Sequence, residues 1–121
     1  MVVFTLQIIT TSRSRRAEVI RMLAAQLGPV RVQPGCRRCD LYQNMENRET
    51  VTFVEEWESQ ADLDFRLRSK AYREVLEIME LSQEPPVIQF DTVTRCSGLE
   101  IVALARRSKA RVPARSRRNR S

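Results

Sequence analysis

The first spacing in the chain that suggests chemistry is Cys36-Arg37-Arg38-Cys39. A C-x-x-C serves as half of a zinc site or as a redox dithiol. Structural zinc needs four ligands, and here Cys96 is the sole further cysteine and histidine is absent from all 121 residues. A redox pair opens a helix, whose N-terminus lowers the first thiol's pKa. This pair opens a segment that reads as a strand, where residues i and i+3 point to opposite faces. The spacing is therefore read as incidental to a turn. The lack of histidine also removes Ser-His-Asp and Cys-His catalysis and His-ligated haem.

Other side chains carry two readings each. Trp57 closes an apolar strand and is either a core residue or the wall of an aromatic pocket. Tyr72 lies on the apolar stripe of a helix, packed inward or aimed with its phenol into a cleft between helix and sheet. Asn44 and Gln7 are polar residues in otherwise apolar strands, which suits a ligand pocket or an edge facing water. Glu55 and Glu56 are adjacent on a strand, so they face opposite sides and cannot share one proton or one metal. Asp91 is a strand acid whose pKa would rise on burial. Trp57, Tyr72 and Asn44 are the expected substrate contacts. No catalytic residue and no metal ligand is assigned.

The elements that must position these groups follow from periodicity. Residues 2–9 are β-branched and aromatic-rich and predict a strand with apolar residues at both parities. Ser12 or Ser14 is the N-cap of a helix with Ile20, Leu23, Ala24 and Leu27 on one face, ended by Gly28-Pro29. Residues 36–45 and 50–57 predict a hairpin around Glu46-Asn47-Arg48-Glu49. Ser59 with Asp62 reads as a capping box opening a short helix that carries Ala61, Leu63 and Leu67. A second segment runs from about Ser69 to Ser82, with Tyr72, Val75, Leu76 and Met79 at helical spacing, stopped by Pro85-Pro86. Residues 87–95 predict a last strand, and 99–105 are ambiguous between strand and helix. The order β-α-β-β-α-β is the ferredoxin-like plan, an α+β fold with a four-stranded antiparallel sheet.

Charge separates body from tail. Residues 106–121 hold eight basic residues and no acid; the other 105 hold 13 basic and 15 acidic residues, a net −2. The expected organisation is a domain over 1–105 and a basic, disordered tail over 106–121. The body gives no composition signal for nucleic acid, and the tail offers only salt-sensitive phosphate contacts. No apolar run approaches the roughly 20 residues that span a bilayer. With no secretory leader pattern and three cysteines, the expected setting is cytoplasmic, with reduced thiols. Two-sided apolarity in strands 1 and 3 (Val3, Ile9 and Val54 on the second face) predicts a homodimer meeting through its sheets.

The segments Pro34-Gly35-Cys36, Leu41-Tyr42 and Phe53-Val54-Glu55-Glu56-Trp57-Glu58-Ser59 resemble the antibiotic biosynthesis monooxygenase family over about residues 2–95. The resemblance implies a dimeric α+β barrel with two sheets face to face. It implies enzymes of several kinds, among them cofactor-free oxygenases of quinols and anthrones and haem-degrading proteins, besides members without known activity. The sequence departs from the pattern where many members carry a histidine, a position that counts to about Leu76. It departs again at Arg66, where the haem-degrading branch has tryptophan. The implied function is a cofactor-independent monooxygenase acting on a small aromatic compound, with no haem, flavin or metal. The alternative is a non-catalytic dimeric module of the same fold that binds a small ligand or serves a structural role.

Overall fold

Seven β-branched, aromatic and aliphatic residues, with Gln7 among them, make β1 (Val2–Ile9), the strand around which the sheet is built. The structure, a computed structural model, describes residues 1–108. Beyond β1 come α1 (Arg13–Arg31), β2 (Cys36–Gln43), β3 (Thr50–Trp57), α2 (Gln60–Leu67), α3 (Lys70–Met79), β4 (Val87–Thr92) and α4 (Leu99–Arg107). The sheet order is β2-β3-β1-β4. All pairings are antiparallel, with Val2 opposite Trp57 and Thr92, and Phe4 opposite Glu55 and Phe90. This is the ferredoxin-like α+β architecture expected from the order of elements.

One face of the sheet carries the helices. Phe4, Leu6 and Ile8 of β1 and Val51, Phe53 and Trp57 of β3 are buried there against Val19, Leu23 and Val30 of α1, Leu63 of α2, and Tyr72, Val75 and Ile78 of α3. On the other face Val3, Ile9 and Val54 are half-buried. Among the described residues, no helix is long and apolar enough to cross a membrane.

The structure departs from the sequence reading at several points. Gly28-Pro29 does not end α1; Pro29 lies inside it and the helix runs on to Arg31. Proline disfavours a helical predecessor through contact with that residue's Cβ, and Gly28 has none. Val30 is then buried, and Arg31 Nε donates to Cys39 O at 2.8 Å, so the extra turn is held from both sides. The buried stripe of α1 is Val19, Leu23, Gln26 and Val30, and it leaves Ala24 exposed. On α3 the inward residues are Tyr72, Val75 and Ile78, whereas Leu76 is half-exposed. Strands β2 and β4 stop short of the expected 45 and 95. Residues 99–107 form a helix, so Arg106 and Arg107 belong to α4 rather than to the tail. The rest of the expected tail, 109–121, lies outside the described residues.

Candidate functional site

Strand alternation places Val51, Phe53, Glu55 and Trp57 on the helix-facing side of β3. Glu55 is thereby delivered into the core between two aromatic rings, while Glu56 faces the other way and bonds Arg38 at 2.6 Å. The carboxylates are thus separated as the strand period requires, but the inner one is not an ordinary surface acid. It is fully buried, the sole buried acid among the described residues.

Its partner comes from α2. Gly35, at φ +88°, turns the chain into β2, and its carbonyl accepts from Glu58 N at 2.8 Å, tying that turn to the residue that follows β3. Ser59 then caps α2, accepting from Asp62 N at 3.2 Å and donating to the Asp62 carboxylate at 2.9 Å. From that start Leu63 and Arg66, three residues apart, point into the core. Ser69 fixes the end: its hydroxyl donates to Arg66 O at 2.7 Å and accepts from Tyr72 N at 3.2 Å, so one side chain closes α2 and opens α3.

Arg66 meets Glu55 as a fork, Nη2 to Oε2 at 2.8 Å and Nε to Oε1 and Oε2 at 3.1 and 3.2 Å. Both are 0% exposed. Trp57 Nε1 donates to Glu55 Oε1 at 2.9 Å. Arg66 Nη2 also donates to Gln26 Oε1 at 3.2 Å, and Gln26 Nε2 donates to Glu74 at 2.7 Å. The guanidinium carbon lies 5.2 Å from the Tyr72 ring centre, and Tyr72 meets Phe4 edge-on at 5.8 Å. Burial pushes the Tyr72 phenol up to about 12, with the negative charge of Glu55 adding to it. The phenol is therefore a hydrogen-bond donor at neutral pH. Among the described residues Arg66 Nη1 has no partner.

The arrangement supplies a desolvated carboxylate, a guanidinium with one unsatisfied donor nitrogen, and two large aromatic faces. A carboxylate and a donor of this kind would take a proton from a hydroxyl brought against them and hold the oxyanion that results, yet Glu55, Trp57 and Arg66 have no exposed surface here. Trp57 and Tyr72, both singled out from sequence, come together around it. Asn44 does not join them. Because β2 ends at Gln43, Asn44 starts the hairpin turn, and its Oδ1 accepts from Glu46 N and Asn47 N at 2.9 and 3.1 Å. Gln7 is on the face away from the helices, and Asp91 is exposed, holding only Gln89 Nε2. Arg66 and Gln26 were not foreseen as core residues. The available signal was spacing: Arg66 follows the apolar Leu63 by three, and Gln26 stands three after Leu23 and four before Val30.

The cysteine expectation needs correction. The ladder pairs Cys36 with Trp57, Arg38 with Glu56 and Cys39 with Glu55, with a shift in register between Cys36 and Arg38. That bulge absorbs one residue, so Cys36 and Cys39 face the same side rather than opposite sides.

The sequence model of the antibiotic biosynthesis monooxygenase family matches residues 2–78, the stretch from β1 through α3 that builds this cluster. The chain belongs to that family. Solved structures of family type share its fold. Rv0793 from Mycobacterium tuberculosis superposes with a TM-score of 0.71 at 21% identity, covering 80% of this chain and 98% of its own. A candidate antibiotic biosynthesis monooxygenase from Deinococcus radiodurans gives 0.73 at 12% identity, over 81% of this chain and 97% of its own. One from Nitrosomonas europaea gives 0.63 at 17% identity, over 78% and 100%. At these identities the likeness speaks for the fold alone. Among curated proteins nothing matches. As a monooxygenase-like member, the chain carries at 76 a leucine, an apolar, half-exposed side chain.

Proposed function

We propose that this protein is a cofactor-independent monooxygenase of a small aromatic compound of quinol or anthrone type, acting as a cytoplasmic homodimer joined through the sheet faces. The observation that carries the reading is the buried Glu55–Arg66 pair, flanked by Trp57 and Tyr72, with Nη1 unsatisfied. A buried ion pair contributes little net stability over apolar packing, and desolvated titratable groups concentrate at functional sites. In this reading the two aromatic side chains hold the substrate ring, Glu55 accepts the proton of its acidic O–H or C–H, and Arg66 Nη1 holds the oxyanion. The electron-rich anion passes one electron to dioxygen. Substrate radical and superoxide combine at a ring carbon, and the peroxide loses water to leave a carbonyl. The electrons come from the substrate. Haem does not fit these residues: the chain holds no histidine, and the expected ligand position counts to Leu76, an apolar side chain.

The test is oxygen uptake against a panel of hydroquinones and anthrones, with one dioxygen consumed per carbonyl formed. Absence of uptake with every member, in protein that is folded and dimeric, would refute it. One observation favours the alternative of a non-catalytic module that binds a small ligand or serves a structural role: Glu55, Trp57 and Arg66 have no exposed surface, so the layer is filled by the chain's own side chains. Ligand-induced fluorescence change of Trp57 without oxygen uptake would support ligand binding by that module.

A further inference from the structure

The oxygenase reading makes no use of α4. The start of this helix is fixed: Gly98 N donates to Glu100 Oε2 at 2.8 Å, and Ile101 N donates to Gly98 O at 3.0 Å. Six of its nine residues are apolar, yet none of the nine is buried. At 3.6 residues per turn, Ile101, Val102, Leu104 and Ala105 share an arc of about 160°. Arg106 borders that arc beside Val102, and Glu100 and Arg107 lie together outside it. Ile101, Val102 and Leu104 are each about half exposed, and Leu99, on the far side of Arg106, is exposed too. The apolar side is presented, not packed away.

Charge says what that side faces. From Arg106 onward the sequence holds eight basic residues and no acid, after a body of net −2. Among the described residues, Arg106 and Arg107 enter no ion pair. An apolar arc that runs directly into a block of cations matches a surface that is apolar just beneath a layer of negative charge. An anionic phospholipid bilayer is such a surface. Arg106 would lay its stem along the arc and raise its guanidinium to the headgroups. Nucleic acid rewards the cations through its phosphates and gives the apolar arc nothing. A second copy brings the same block of cations, and like charges repel.

We propose that α4 and the basic residues of 106–121 together bind an anionic phospholipid surface, with α4 lying in the headgroup plane and not spanning the bilayer. Neither part suffices. Nine residues offer little apolar area to bury, and cations alone are released by salt. Lasting attachment without a spanning helix takes two such signals in one place.

The experiment sediments the full chain with vesicles of phosphatidylcholine containing about one third phosphatidylserine, and with vesicles of phosphatidylcholine alone. The protein should pellet with the first and stay in solution with the second. Salt at about 0.5 M, where the screening length falls below about 5 Å, should release most of it. Two variants separate the parts. Ile101→Ser with Leu104→Ser keeps every charge and should weaken binding several-fold. Arg115→Gln, Arg117→Gln, Arg118→Gln and Arg120→Gln together keep the helix. They should weaken binding at least about tenfold, since one basic residue at an anionic surface is worth about fivefold. Urea midpoints equal to the parent's show that both variants fold. No pelleting with the anionic vesicles overturns the proposal. So does a serine variant that binds as tightly as the parent, which leaves only a phosphate-binding block. A serine variant that lowers the oligomeric state in sedimentation assigns α4 to a second copy and overturns it. Release from the vesicles by duplex DNA at equal phosphate concentration assigns the block to nucleic acid and also overturns it. None of these outcomes depends on oxygenase activity.

Discussion

Replacing Arg66 by methionine removes the cation and leaves Glu55 in a site with no access to water. Breaking a buried pair from one side costs about 3–5 kcal/mol, because a charge is left without compensation. Against a total stability of about 5–15 kcal/mol, that is a large fraction. For a domain of this size it corresponds to a fall in Tm on the order of 15–25 °C. The companion is Arg66→Met with Glu55→Gln, which removes both charges while leaving an amide oxygen for Trp57 Nε1. Neutralising the pair should recover at least about 2 kcal/mol of the loss, since exchange of a whole buried pair for neutral groups is often close to neutral. Acidity gives a second readout. In the Arg66→Met protein a proton on the orphaned carboxylate relieves the penalty, so the folded state binds more protons than the unfolded one. Stability therefore rises as pH falls from neutrality toward the ordinary carboxylate range. Urea unfolding of the three proteins across that range, with midpoints and slopes compared, measures all of this. A cost below about 1 kcal/mol for the single variant, or a double variant no better than the single, would refute the argument that the pair is desolvated and mutually dependent.

Gly35→Ala should lose about 1–3 kcal/mol, since the residue sits at positive φ and a Cβ there would overlap the Asp62 carboxylate; urea midpoints check it. Alkylation by iodoacetamide, followed by mass spectrometry, should modify exposed Cys96 first, Cys36 more slowly and Cys39 last, with Cys39 labelling rising toward its raised pKa of about 12. Asn44→Ala should destabilise the hairpin by about 1 kcal/mol without altering any ligand-induced Trp57 fluorescence. Sedimentation at micromolar concentration should show a dimer; a 14.1 kDa species alone would count against the proposed assembly.

The element order was legible because each boundary carried local chemistry: Ser12, Ser59 and Ser69 each cap a helix as their side chains allow. The site was legible only in its aromatic half. Trp57 and Tyr72 announce themselves by size and apolar spacing, whereas Arg66 and Gln26 look like surface residues until a buried partner is known. Glu55 gave a partial signal, an acid at the parity of Val51, Phe53 and Trp57. The turn after α1 misled because a proline normally breaks a helix, and the exemption lay in the missing Cβ of Gly28. The bulge at Arg37 could not be read at all, since it belongs to the pairing of two strands rather than to either sequence.

The two borders of the sheet are unlike. The β2 border is irregular at Arg37 and carries Arg37 and Arg38, tied to Glu58, Asp40 and Glu56. The β4 border is six residues without a lysine or arginine, and Val87, Ile88 and Phe90 are nearly half exposed. Unprotected strands of this kind are templates for further strands. Growth from the sheet of a single chain ends after one addition. Two molecules joined antiparallel through β4 would make an eight-stranded sheet whose only remaining borders are the two β2 strands, both distorted and charged. In the proposed face-to-face homodimer each protomer brings one such border, so crowding should join dimers in succession through β4 until no β4 border remains free.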